Sequence, residues 1–203
     1  YKTGVSWLYD DYDEEYQSGD YKRTERVPGL FFEYTLTGAK YVLVAGIRTD
    51  FHNLAGTQVT PRVNFKYDIT PKTILRLSAG RGFRTANIFA ENQQYFASNR
   101  QIEIVQNSGK IYGLKPEIAW NYGVSLQQEF RLFTKKSSVL IDFFRTDFTN
   151  QVVVDLDASV HKILFYNLNG TSFANSFQVQ WDIQPTNNLE LRMAYKFYDV
   201  NTD

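Results

Sequence analysis

The feature that most constrains this chain is an alternation of apolar and polar residues with a period of two. In PRVNFKYDIT, Val63, Phe65 and Tyr67 fall on one side of an extended chain, and Arg62, Asn64, Lys66 and Asp68 fall on the other. A strand gives that separation because successive side chains point to opposite faces. The same phase recurs at Leu75, Leu77 and Ala79, and at Trp120, Tyr122, Val124 and Leu126. It recurs again at Phe177, Val179, Trp181 and Ile183, and at Leu189, Leu191, Met193, Tyr195 and Phe197. Slipping a strand by one residue would exchange its two faces, so each run fixes its own register. The fold class this predicts is all-β.

About nine such runs can be placed, at 2–10, 24–36, 40–51, 58–69, 73–82, 118–131, 137–149, 172–183 and 188–199. Many run past the five or six residues usual in a soluble sheet and reach the roughly 9–11 that a tilted strand needs to cross a bilayer. Their connections alternate in length. Thr37-Gly38-Ala39, Thr70-Pro71-Lys72, Phe133 to Lys136 and Pro185 to Asn188 are tight and rich in turn residues, whereas 11–23, 52–57, 83–117 and 150–171 are mostly long. That asymmetry predicts an antiparallel up-and-down transmembrane β-barrel with short periplasmic turns and long outer loops. A soluble β-sandwich also has one apolar face per strand and remains the alternative. Its solvent face would be crowded with Lys and Glu, whereas here that face carries many Asn, Gln, Ser, Gly and Arg, which suits a wet, packed lumen.

Composition removes several function classes. The 203 residues have a mean hydropathy of −0.40, and no apolar run approaches the roughly 20 residues of a spanning helix. Twenty-two Lys and Arg balance 22 Asp and Glu, so the basic excess that nucleic acid requires is missing. With no cysteine there is no disulfide framework, zinc–thiolate site or thiol nucleophile. RLSAGRGFRTANIFAEN, residues 76–92, is not a phosphate loop: the third glycine of the dinucleotide pattern would fall at Thr85, and no Lys-Ser/Thr pair follows. It reads as a strand, with Arg76 on its polar side, running out into the longest connection. Gly80 and Gly82 are expected where the chain closely approaches another backbone or a plug enclosed by the wall, so that Val at either should lower folded yield.

No catalytic constellation, metal site or cofactor motif emerges. His52 and His161 fall in separate loops, outside any zinc-binding spacing. The acidic stretch Asp10, Asp11, Asp13, Glu14 and Glu15 lacks the glycine of a calcium loop and reads as a solvated loop, as do Asp155 and Asp157. Asn169-Gly170-Thr171 reads as a turn. Tyr9, Tyr41, Phe51, Tyr67, Trp181 and Tyr198 lie near strand ends and form either interfacial girdles or ordinary strand packing.

The long connection 83–117 has the best claim on a ligand, through Arg84, Asn87, Glu91, Asn92, Gln93, Gln94, Tyr95 and Arg100. Arg84 and Glu91 either grip that ligand or tie the loop to the wall, and the second reading is preferred. Arg62, Arg76, Asn121, Gln178 and Arg192 are expected to face the lumen.

The order of VPGLFFEYT, LVAGIRTDFH, VTPRVNFKYDITPKTILRLSAGRGFRTANIFAEN, GLKPEIAWNYGVSLQQEF and DFFRTDFTNQVVV resembles the barrel of TonB-dependent outer-membrane receptors. More narrowly, it is similar to the branch found in Bacteroidetes. Its elements are G-R-G-F-R-T-A-N ending one rising strand, L-K-P-E opening the next falling strand, and then F-x-x-D-F-x-N. The resemblance implies a large barrel in the cell outer membrane, closed around its own plug domain. It further implies import of a scarce nutrient such as a ferric siderophore, haem, cobalamin or a glycan, powered by the TonB complex of the inner membrane. Partners so implied are the plug, the TonB complex, outer-membrane lipid and a surface lipoprotein, with lumen arginines meeting plug carboxylates. No plug-like segment or TonB box is found in the sequence, and an odd set of about nine strands cannot close a single-chain bacterial barrel. Residues 1–203 are therefore expected to be a partial β-barrel domain. The alternatives are a surface binding or adhesin barrel without independent transport, and a soluble β-sandwich binding domain.

Overall fold

The computed structural model describes residues 1–16, 19–105 and 109–202. Its strands are β1 (Lys2–Tyr16), β2 (Gly19–Thr37), β3 (Tyr41–His52), β4 (Gly56–Thr70), β5 (Thr73–Arg84), β6 (Gln101–Ile104), β7 (Glu117–Leu132), β8 (Lys135–Thr149), β9 (Val152–Asp155), β10 (Lys162–Asn167), β11 (Ser172–Thr186) and β12 (Leu189–Thr202). Nine of them form one antiparallel sheet in chain order, β1-β2-β3-β4-β5-β7-β8-β11-β12. These nine are the runs read from the alternation. They lie in one layer, so the two-sheet sandwich does not form; among the described residues β1 and β12 do not pair, and the sheet is an unclosed barrel wall.

Register carries the alternation across the whole sheet. Phe65, Leu77, Val124, Phe143, Phe177 and Phe197 are successive partners on one face, and Lys66, Arg76, Ser125, Asp142, Gln178 and Lys196 are successive partners on the other. Burial is inverted relative to a soluble domain. The apolar face is bare, with Trp7 68%, Tyr195 64% and Met193 51% exposed. A continuous surface of this kind needs a nonaqueous neighbour. Stacked ring pairs, Trp120 with Tyr122 and Phe65 with Tyr67, lie along it. Of the expected girdle residues, Tyr198 departs from the set: it pairs with Ser176 on the polar face, where Lys196 Nζ lies 4.7 Å from its ring centroid.

Two prolines fit the sheet because each sits where a ladder stops. The β2–β3 register begins at Gly29, one residue past Pro28, and the β4–β5 register begins at Arg62, one residue past Pro61, so neither missing N–H leaves a gap in those ladders. The β3–β4 connection, read as residues 52–57, is a tight turn, with His52 in β3 and Gly56 in β4. Asn53 caps the neighbouring strand, donating through Nδ2 to Thr24 O at 2.8 Å and accepting from Arg26 N–H at 2.9 Å.

The connection expected at 11–23 is mostly strand. β1 and β2 continue to Tyr16 and from Gly19, so the acidic stretch is the outer half of a long hairpin; residues 17–18 lie outside the described residues. Tyr12, Glu14 and Tyr16 alternate there with Asp11, Asp13 and Glu15, a period of two hidden by the density of charge.

Side chains on the polar face are laid flat over glycines of neighbouring strands. The Phe31 ring covers Gly4, the Phe144 ring covers Gly123, and Arg62 lies over Gly46. Within the wall no close backbone approach occurs at Gly80 or Gly82: among the described residues a Cβ at Gly82 would meet nothing within 4 Å, and one at Gly80 would make ordinary contacts, 3.4 Å to Arg62 Cβ at the nearest. The sheet itself does not demand glycine at either position.

Candidate functional site

The two longest connections fold together into a cap at the end of the sheet opposite the β2–β3, β4–β5, β7–β8 and β11–β12 turns. From β5–β7 come the short helix α1 (Ile88–Glu91), a 3-10 turn (Gln93–Tyr95) and β6; from β8–β11 come β9 and β10. β10 pairs parallel with β6 and antiparallel with β9, so one three-stranded sheet is assembled from two separate loops. The short period-two runs QIEI and KILFYN place Ile102 and Ile104 beside Ile163 and Phe165. Ala86, Ile88, Leu114, Ile163 and Phe165 form a buried core, flanked by Tyr95, Phe96, Val152 and Val154. This core lies in the cap and not in the wall.

Polar contacts tie the cap to the wall. Arg84 donates to Glu117 on the neighbouring strand and to Glu91 at 3.1 Å, and Glu117 accepts from Val152 N–H at 2.8 Å. Buried Asn167 accepts from Lys115 N–H at 2.7 Å and donates to Asn150 O at 2.7 Å, joining both loops. Arg100 donates to Leu156 O at 2.9 Å.

The cap reaches past the short β3–β4 turn to the polar face of the β1–β2 hairpin. Phe89 packs on Tyr21 at 5.0 Å between centroids, and Phe96 on Tyr16 at 4.9 Å. Tyr112 sits in a two-residue turn with φ 52°, followed by Gly113 at 81°, and Leu114 N–H closes the turn on Ile111 O at 2.8 Å. Its hydroxyl donates to Glu14. The Arg23 guanidinium lies 3.7 Å from the Tyr12 centroid and 4.6 Å from that of Tyr112. Arg23 also pairs with Glu14 at 3.1 Å and Glu25 at 2.9 Å. His52 completes the chain of contacts: Nδ1 accepts from Leu54 and Ala55 N–H, which leaves the ring proton on Nε2 facing Glu25 at 3.3 Å. His52 is thus buried at the end of β3, and not the loop histidine read from the sequence. Burial, then the hydrogen bond to Glu14, push the Tyr112 phenol above the ordinary tyrosine range.

The residues expected to meet ligand are distributed through this cap. Arg84, Glu91, Asn92 and Arg100 make the internal bonds that hold it, Asn92 donating to Ile88 O at 2.9 Å. Tyr95 packs against the core and Gln93 opens the 3-10 turn. Asn87 precedes α1 with its Oδ1 buried and without a hydrogen-bond partner among the described residues. Residues 106–108 of that connection lie outside the described residues. Arg62, Arg76, Asn121, Gln178 and Arg192 share the polar face by register. Their partners here lie within the sheet: Arg62 with Glu33 at 2.5 Å, Arg76 with Gln127 at 3.2 Å, Arg192 with Asp182 at 2.6 Å and Asn121 with Thr146 at 2.7 Å. Sequence reasoning missed Glu14, Arg23, Glu25 and Tyr112. The alternation continuing through Tyr12, Glu14 and Tyr16 was the available signal for the first; nothing local marks Tyr112.

Beneath the cap, a depression of about 280 Å³ is lined by Gly82, Arg84, Glu117, Ala119, Phe148 and Gln151 among others. A wider one of about 510 Å³ on the polar face includes Phe31, Glu33, Gly46, Arg48 and Arg62.

A family model described as TonB dependent receptor-like, beta-barrel, matches residues 1–203. The chain belongs to this family. The ferric enterobactin receptor of Pseudomonas aeruginosa is 23% identical over 150 residues, covering 71% of this chain and 19% of that protein. Among solved structures, the siderophore receptor PirA from Pseudomonas aeruginosa superposes with a TM-score of 0.74 at 15% identity, covering 99% of this chain and 39% of that one. PirA from Acinetobacter baumannii gives 0.70 at 12% identity, covering 97% and 33%. The chain therefore spans about a fifth to two fifths of the length of these relatives. As part of a TonB-dependent receptor barrel, the wall stands in the outer membrane, with its apolar face to lipid and its polar face to the lumen.

Proposed function

We propose that residues 1–203 form part of the barrel domain of an outer-membrane receptor that binds a scarce nutrient and imports it with energy drawn from the TonB complex. The observation that carries this reading is a two-faced, single-layer sheet of the TonB-dependent receptor family, whose polar face is roofed at one end by a folded cap. A ferric siderophore is the foremost substrate class, supported by the names of the relatives; haem, cobalamin and glycans are the others. A plug domain of the same polypeptide is the proposed occupant of the polar face, where Arg62, Arg76 and Arg192 have side chains near enough to the lumen to exchange a sheet partner for a plug carboxylate. Arg84, Asn87, Glu91, Asn92, Gln93, Tyr95 and Arg100 remain proposed as ligand contacts at the cap, secondary to their structural bonds. The Bacteroidetes branch, and with it a surface lipoprotein partner, rests on the quoted motifs.

The test is uptake of labelled ferric siderophores by iron-limited cells with and without the full-length gene, alongside binding of haem, cobalamin and oligosaccharides to the purified receptor. Loss of uptake on deletion, restored by the gene, is expected. Binding without uptake would favour the adhesin reading, and neither binding nor uptake would refute both.

A further inference from the structure

We propose that the cap is a lid that moves as one body, and that Tyr112, caught by the outer half of the β1–β2 hairpin, is the latch that holds it shut. This rests on the reading that the polar face encloses a passage, and it names the element that closes it.

The single-body part follows from the pairing. β6 belongs to the β5–β7 loop and β10 to the β8–β11 loop, yet their residues Ile102, Ile104, Ile163 and Phe165 share one sheet and one buried cluster. Separating the loops would expose that cluster and break the Arg100 to Leu156 and Asn167 to Lys115 bonds, so the cap can only lift whole.

The latch part follows from Tyr112. A bulky residue in the left-handed region is held there by its surroundings, and such conformations gather at switch positions. Here the turn presents the ring to a cage composed of the Arg23 guanidinium, the edges of Tyr21 and Phe89, and the Glu14 carboxylate. Tyr21, Arg23 and Glu14 belong to the hairpin, which β3 and β4 separate in the sheet from the root of the loop that carries Tyr112. The hairpin side of the cage is rigid, since Arg23 is also fixed by Glu25, and Glu25 by His52. The ring contacts of Phe89 and Phe96 with Tyr16 and Tyr21 also join the cap to the hairpin, and they carry no charge-assisted bond of the kind Tyr112 makes to Glu14.

Spin-label distances in the full-length receptor, in outer-membrane vesicles without substrate, test both parts. The sequence given has no cysteine, so labels are placed by Asp13→Cys on the hairpin with either Val160→Cys in one loop or Ala97→Cys in the other. Tyr112→Phe, which keeps the ring and removes the bond to Glu14, is expected to raise the long-distance population about tenfold, the scale of a hydrogen bond to a charged group, and Tyr112→Ala to raise it further. Both label pairs should lengthen together. An unchanged distribution in both variants would overturn the latch, and lengthening from Ala97 without Val160 would overturn the single body. Neither result depends on which nutrient is carried, so failure here is separable from failure of the uptake experiment.

Discussion

Arg84, the last residue of β5, and Glu117, the first of β7, face each other across the ladder and are joined side chain to side chain, although the longest loop of the chain separates them in sequence. The same carboxylate accepts the Val152 N–H of the second loop. Removing it by Glu117→Ala strands that N–H and leaves Arg84 with Glu91 alone. The cap should then open more easily by about 1–3 kcal/mol, read as faster amide exchange in β9 and β10 while the wall strands keep their protection.

The tight turn between β7 and β8 is conformationally costly. Phe133 and Thr134 both have positive φ, 47° and 73°, and the Phe133 side chain projects outward at 89% exposure. Two-residue turns of this hand favour Asn-Gly. The double replacement Phe133→Asn, Thr134→Gly should stabilise the folded barrel by about 1 kcal/mol, seen as a higher midpoint in denaturant with unchanged insertion.

Gly123 and Gly82 should separate cleanly. A Cβ at Gly123 would collide with the Phe144 ring and Ser78, so Gly123→Val is expected to lower stability by about 1–3 kcal/mol. Gly82→Val meets open space in the sheet and should leave barrel folding unchanged in the same assay.

The two faces of β7 should differ in their tolerance of charge. Val124→Arg places a cation in the lipid band and is expected to cost about 2–4 kcal/mol, whereas Ser125→Arg, one residue on, faces the polar side beside Arg76 and Asp142 and should cost well under half of that. Reversible unfolding in bilayers measures both.

The Tyr112 phenol titrates above the free-tyrosine value, so the folded state keeps a proton that the unfolded chain has released. Its contribution to cap closure is therefore complete below about pH 10 and declines as pH rises beyond that toward the folded value. The open population of the cap, read from spin-label distances, should therefore grow over that alkaline range in the native chain and change little in Tyr112→Phe.

How much of this could be read beforehand follows the range of the interactions. Period-two patterning is local, so Phe65, Leu77 and Val124 announce their strands, faces and registers without any knowledge of the rest. The outer half of β1 was lost because Asp10 to Glu15 looks like solvent-loving loop; its hydrogen-bonded partner, Tyr21 to Glu25 of β2, is what makes it strand. The cap was illegible for a different reason. QIEI and KILFYN are too short to declare a sheet, and their pairing spans some sixty residues of chain, which no local pattern encodes. Tyr112 likewise becomes meaningful only when Glu14 and Arg23 are brought to it.

The pairing of β6 with β10 also sets a rule for exchanging parts between receptors. A graft that replaces residues 83–117 alone imports a strand cut for a different neighbour and leaves Ile163 and Phe165 facing a foreign surface. New binding specificities built on this part of the wall would have to be transplanted as two matched segments, because these two loops were cut to fit each other.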